Sequence, residues 1–316
     1  SCIEIPIDSK LEVIKSFAFD STIIKCFMLP SNITELEQKW CANTPELNKV
    51  KVSEKNKYFK NYGEDIVIGK SNKESEDYDV LVFVNRDVKS FTIPSFIKVI
   101  GPYSFSCSKI ETIFIPSNIQ RIKEGAFSNC EQLHHIEFSP DSKISEIENF
   151  VFAGSSIEMF HVPSHITRIG FKSFSECKKL INIEITNDSE LQIIEWGAFC
   201  SSSIERIFIP QHIKRICGST FSDCVLLRNV DFSKNSELQV IEDYAFYNTS
   251  IESISIPRHT TNIVCYAFSL CPNLQIFELD KNSEIEYIDD FAFKDSKNIT
   301  FMTPIKFQKY IKGFII

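Results

Sequence analysis

Glycine is scarce, at nine residues in 316. Loops that cradle phosphate need glycine at fixed places, so this supply argues against a nucleotide site. No apolar stretch approaches the ~20 residues that a membrane-spanning helix requires. No long basic run occurs and the formal net charge is −8. That argues against nucleic acid as the main partner, because binding there is driven by Lys and Arg neutralising phosphates. The patterns G-x-S-x-G, G-x-x-x-x-G-K-S/T, H-E-x-x-H and C-x-x-C are all missing. No nucleophile–base pairing replaces them, so the sequence does not read as an enzyme, and it implies no cofactor and no metal.

What is present is repetition. Ser203 to Cys224 reads SIERIFIPQHIKRICGSTFSDC, and the same frame occurs at 109–130, 156–177 and 250–271. Pro116, Pro163, Pro210, Pro257 and Pro304 are each 47 residues apart. The interval holds two units, with I/L-x-x-I-x-I/F, a turn, I/L-x-x-I and a closing small-Phe pair in each. The closing phenylalanines are Phe105, Phe127, Phe152, Phe174, Phe199, Phe221, Phe246, Phe268 and Phe293, with steps alternating 22 and 25. One repeat is therefore about 23–24 residues, inside the leucine-rich-repeat range of roughly 20–29.

The stretch IPSNIQRIKEGAFSNCEQL (115–133) and its copies resemble the BspA-like leucine-rich repeats, a family of surface-antigen and adhesin-type proteins. The resemblance is clear over about 88–304 and looser over 1–53. It implies an α/β-type repeat solenoid: a leucine-rich repeat horseshoe with one short parallel strand per repeat and a mostly irregular convex side. It also implies cell-surface or extracellular placement. An intracellular, cytoplasmic scaffold holding a protein partner is the alternative reading. Opening on Ser1 without Met, the chain reads as a fragment or processed product.

The organisation expected is as follows. Residues 1–53 are N-terminal repeats, the first one partial. The period fails at 54–87, where Ile66–Ile68 and Val80–Val84 look like strands joined by the polar run 71–79; a projecting β-hairpin is expected. Residues 88–304 are regular repeats. Residues 305–316 form a C-terminal cap or tail. Lys306, Lys309 and Lys312 among Ile, Phe and Tyr make membrane-surface contact a second reading of that tail.

Within I-x-x-I-x-I-P the last two apolar residues are at i and i+2 and share one face of a strand. Ile113 and Ile115 thus point inward, while Thr112 and Phe114 point out. Asn118 sits where leucine-rich repeats use an asparagine ladder, and His165, His212 and His259 share its column. Two repeats apart, at ~10 Å, those histidines cannot share a zinc ion, whose ligands lie ~2.0–2.1 Å from the metal.

The chain has 11 cysteines. Cys130, Cys177, Cys224 and Cys271 share one column at the same ~10 Å spacing, beyond the ~7 Å Cα limit for a disulfide. They read as small buried packing residues. The absence of an evident pairing scheme leans toward the intracellular reading.

Extending the period-2 rule gives one outward column on the concave sheet. It runs Phe114, Glu137, His161, Glu184, Phe208, Asp231, Ser255 and Glu278, with Arg206 in the column beside it. Acid falls in every second repeat. Such a stripe steers a basic partner, with Phe114 and Phe208 as anchors. The expected partner is a protein or other macromolecular ligand on this face. A solvated acid copied by repeat duplication is the competing reading, and the 54–87 insertion is the competing site.

Overall fold

The computed structural model describes residues 2–6 and 9–311. It is a parallel β-solenoid of about 13 turns. Two compact units divide the chain: residues 1–144 with 148–156, and residues 145–147 with 157–316. The unbroken period from 88 to 304 gives no sign of that division.

Most turns carry two strands, one usually of three or four residues and one of two. In the first unit the longer strands Cys2–Ile3, Cys26–Leu29 and Lys49–Val52 pair in parallel, as do Thr112–Ile115 and His135–Phe138. In the second unit Met159–His161, Asn182–Glu184, Arg206–Ile209 and Asn229–Phe232 form one parallel sheet. Ser253–Ile256, Ile276–Leu279 and Thr300–Met302 form another. The I/L-x-x-I pieces form a second ladder of their own. Arg215–Ile216, Val240–Ile241, Asn262–Ile263 and Tyr287–Ile288 are one such run.

The inward residues alternate as the pleat requires: Ile113 is 3% and Ile115 0% exposed, between exposed Thr112 and Phe114. The closing phenylalanines are buried and their rings stack. In the second unit Phe174, Phe199, Phe221, Phe246, Phe268 and Phe293 follow one another at 5.3–5.6 Å between centroids. The backbone follows the rings. Phe199 N–H donates to the Thr220 carbonyl and Phe221 N–H to that of Ala245, one repeat on in each case.

The cysteine column is buried, and it does more than pack. The thiols of Cys130, Cys224 and Cys271 donate to the carbonyls of Phe105, Phe199 and Phe246 at 3.1–3.2 Å. In the intervening repeats the hydroxyls of Thr249 and Ser296 bond the Phe246 and Phe268 carbonyls. The column adds a second donor to turn carbonyls such as those of Phe105 and Phe199, which also accept from the N–H groups of Ser108 and Ser202.

One pairing went unread in the sequence. Cys2 and Cys26 are direct neighbours across parallel strands, with Cα atoms 4.6 Å apart, and form a disulfide. The comparison of cysteines two repeats apart missed it, because these two stand in adjacent repeats.

The expected hairpin forms, with Ile66–Gly69 antiparallel to Val80–Val84, but it packs into the array instead of projecting from it. Phe59–Tyr62, Ile66–Gly69 and Val80–Val84 form three antiparallel strands, and Val80–Val84 then pairs in parallel with Val99–Ile100. The inserted strands thus extend the ladder of short strands. Phe59, Val67 and Phe83 join the core around Phe27 and Trp40. The reason is apolar content: every residue of Ile66–Gly69 is buried, so this strand is covered on both faces. The sheet of longer strands ends at Lys49–Val52. There the Asn61 side-chain amide takes the place of a further strand, accepting from Val52 N–H and donating to the Val50 carbonyl, each at 2.8 Å.

At the C-terminal end a 3-10 turn, Ile305–Phe307, leads into a short helix, Gln308–Ile311, and Phe307 is buried. Among the described residues these are the only helices. Lys312 and the rest of the tail lie outside them.

Candidate binding face

The outward positions of the longer strands are set by strand register. Phe114 stands directly opposite Glu137 in the first unit. In the second unit His161 stands opposite Glu184, Phe208 opposite Asp231, and Ser255 opposite Glu278. Arg206 lies between Asn182 and Asn229 in the neighbouring outward column. The structure therefore brings the sequence-predicted residues together as cross-strand pairs, two in one unit and six in the other. Directly opposed side chains lie ~4.5–5.5 Å apart at Cβ, close enough for one ligand group to touch both.

Exposure follows the pleat. Phe114 is 49% exposed, Glu137, His161, Glu184, Arg206, Asp231 and Glu278 are exposed, and Phe208 is half-buried. His161 Nδ1 lies 3.4 Å from a Glu184 carboxylate oxygen. Among the described residues Glu137, Arg206, Asp231 and Glu278 make no ion pair within 4.0 Å. The face therefore presents unneutralised charge beside apolar side chains. Three further apolar side chains stand on the same face: Met159, Ile276 and Met302, at 53%, 40% and 52% exposed.

Charge elsewhere is spent on the turns. Arg121 pairs with Glu148, Arg168 with Glu195, and Arg215 with Glu242, at 3.3, 2.9 and 2.7 Å. The same glutamates accept from turn N–H groups of Glu124, Phe171 and Gly218. The signal was available, since the three arginines are 47 residues apart. These residues hold repeats together and are not free for a ligand.

The histidine column does not form a backbone ladder. Asn32 and Asn118 donate to carbonyls of the preceding repeat, Ser9 and Ile97. His212 and His259 instead bond Glu237 and Glu284 in the next repeat, at 3.1 and 3.0 Å. Among the described residues no group of three His, Cys, Asp or Glu side chains is arranged to hold a metal ion. No helix among them is long and apolar enough to cross a membrane.

Likeness to solved structures is one of fold. A leucine-rich repeat protein from Eubacterium ventriosum matches with a TM-score of 0.56 at 22% identity, covering 93% of this chain and 82% of that one. One from Bacteroides ovatus matches with a TM-score of 0.51 at 19% identity, covering 96% and 85%. The pneumococcal vaccine antigen PcpA matches with a TM-score of 0.50 at 15% identity, covering 96% and 82%. Among curated proteins no sequence matches. The model of the BspA type leucine-rich repeat region matches residues 1–63, 65–147, 145–275 and 192–313. With nearly every repeat so matched, the chain belongs to the BspA-type leucine-rich repeat family.

Proposed function

We propose that this is a protein-binding repeat protein, displayed at the cell surface or outside the cell, that holds its partner on the outward face of the longer strands. The observation that supports this reading best is the pairing of exposed, unneutralised acids with apolar side chains on a rigid sheet. Phe208 against Asp231 is the central pair. A basic protein segment with an apolar anchor suits that combination: charge steers the encounter and the buried anchor supplies most of the affinity. The Cys2–Cys26 disulfide supports an oxidising compartment, where such bonds persist. Adhesin-type contact with host or neighbouring cells is the form of this function that the family resemblance favours.

The test is a triple change, Glu184→Lys, Phe208→Ala and Asp231→Lys, in protein whose circular dichroism and melting match the parent. Partners captured from cell-surface extracts are expected to be lost, with affinity falling at least about a hundredfold, or ~2.7 kcal/mol. Unchanged affinity would move the site to the inserted segment. Its largely exposed 71–77 turn leads to half-buried Tyr78, with Lys60 and Lys70 over the ring at 4.0 and 5.1 Å. Biotinylation of intact cells checks the compartment; no labelling without lysis would overturn surface display.

A further inference from the structure

A polar trough of about 650 Å³ lies in the second unit, where three successive longer strands run into their turns. That volume falls in the range of small-molecule sites, roughly 300–1,000 Å³. Its lining is mixed in a particular way. Asp231 and Asp280 supply carboxylates, Lys234 and Arg258 supply cations, and Asn235 and Asn282 supply amides. Phe232, half-buried at the end of its strand, is the one phenyl ring among the lining residues.

The polar groups are open. Among the described residues the carboxylate of Asp231, the hydroxyl of Ser255 and the side-chain amides of Asn235 and Asn282 have no hydrogen-bond partner. Arg258 is held in place. Its Nε–H donates to His259 Nε2 at 2.8 Å, which leaves the imidazole proton on Nδ1, facing a Glu284 carboxylate oxygen at 3.0 Å. With Nε engaged, the two terminal nitrogens of the guanidinium remain as donors.

Charge decides the class of occupant. Two carboxylates oppose an anion and two cations oppose a metal ion. The formal charges of these four side chains cancel. An apolar ligand would strip water from polar groups without replacing their hydrogen bonds, which costs affinity. A ligand that is uncharged and carries many hydroxyls meets every group at once. Carboxylates accept from hydroxyls, amides do both, and guanidinium donates. Phe232 supplies an apolar surface for a ring's C–H face.

We propose that this trough is a binding site for a neutral short oligosaccharide, in addition to the protein-binding face. The two share Asp231 but not Arg258, Asp280 or Asn282. The probes are maltotriose, cellotriose and tri-N-acetylchitotriose, measured by saturation-transfer NMR and titration calorimetry. Trigalacturonate and chitosan trimer serve as charged comparators.

At least one neutral trisaccharide is expected to bind saturably at millimolar concentration, and more tightly than either charged trimer. Arg258→Ala and Asn282→Ala, both at exposed turn positions, are each expected to weaken it about tenfold. The variant Glu184→Lys, which addresses the protein-binding face two strands away from Asp231, is expected to leave sugar binding unchanged. The proposal is overturned by the absence of saturable binding from all three neutral sugars. It is equally overturned by binding that survives Arg258→Ala with Asn282→Ala combined, or by binding lost in the Glu184→Lys variant. Failure of the protein-binding reading alone leaves these outcomes in place.

Discussion

The guanidinium of Arg86 donates to the Ser104 carbonyl at 2.7 Å from a position with no exposure to solvent. The same terminal nitrogen reaches the Val84 carbonyl at 3.3 Å, the second terminal nitrogen reaches those of Tyr103 and Cys41 at 3.3 and 3.5 Å, and the guanidinium lies over the Phe83 ring. No carboxylate is among these partners. A buried cation held by backbone carbonyls joins the last inserted strand to the turns on either side.

Arg86→Ala is expected to lose about 3 kcal/mol or more. Hydrogen bonds to a charged group contribute ~1.5–3 kcal/mol, and the carbonyls left behind add their own desolvation cost. Arg86→Met keeps most of the volume and should fall between parent and alanine. Urea unfolding followed by intrinsic fluorescence measures both. An Arg86→Ala loss below about 1 kcal/mol would mean that water reaches these carbonyls.

Phe199 is buried between Phe174 and Phe221, its ring 5.4 and 5.6 Å from theirs. Phe199→Ala should cost ~3–5 kcal/mol, the range for emptying an aromatic site in a packed core. Calorimetric melting is the measurement. The same change at exposed Phe114 should alter stability by less than ~0.5 kcal/mol.

The Cys2–Cys26 disulfide closes a loop with a sequence separation of 24. Constraining the unfolded chain over that length is worth ~3 kcal/mol in the chain-entropy description. Reductant should therefore lower the stability of the parent and leave a Cys26→Ser variant unmoved. Equal sensitivity of both would show that the bond contributes nothing to folding.

Burial pushes the Cys130 and Cys224 thiols up to about 12 and the Cys41 thiol up to about 11. At alkaline pH the unfolded chain gives up these protons while the folded chain keeps them. Stability is therefore full below the ordinary thiol range near 8.5 and falls as pH rises above it. Iodoacetamide at pH 8 should spare these thiols until denaturant is added. Replacing Cys130 and Cys224 by Ala should flatten the alkaline decline.

Much of the fold was legible because the same physics recurs in every repeat. Ile113 and Ile115 alternate with exposed neighbours, and each closing phenylalanine occupies the same place. The outward face followed from the same alternation. Where the period stopped, legibility stopped with it. Phe59–Tyr62 has one buried residue followed by three exposed ones, so it shows no strand pattern. Arg86 is a residue type that is almost never fully buried unless paired. Cys2 and Cys26 stand outside the 47-residue cysteine column, and only the register of adjacent strands brings them together. The trough was invisible for another reason. Asp231, Arg258 and Asn282 come from three repeats, and only the stacking of their turns gathers them.

The turns carry a further consequence. Ile119, Ile122, Ala126 and Phe127 fall at i, i+3, i+7 and i+8, the spacing of one face of a helix. Yet Gly125 and Asn129 hold φ of 62° and 55°, and the pattern recurs around Phe105, Phe174 and Phe268 at Tyr103 and Cys107, Lys172 and Glu176, Tyr266 and Leu270. Left-handed residues cannot continue a right-handed helix, and outside glycine each costs ~1–2 kcal/mol. Only the neighbouring turns, through their N–H to carbonyl bonds and stacked rings, offset that cost. A repeat cut free of its neighbours would lose the reason to hold this backbone, and its sequence would relax toward helix. The identity of each turn is thus a property of the array, imposed by contact rather than by local preference.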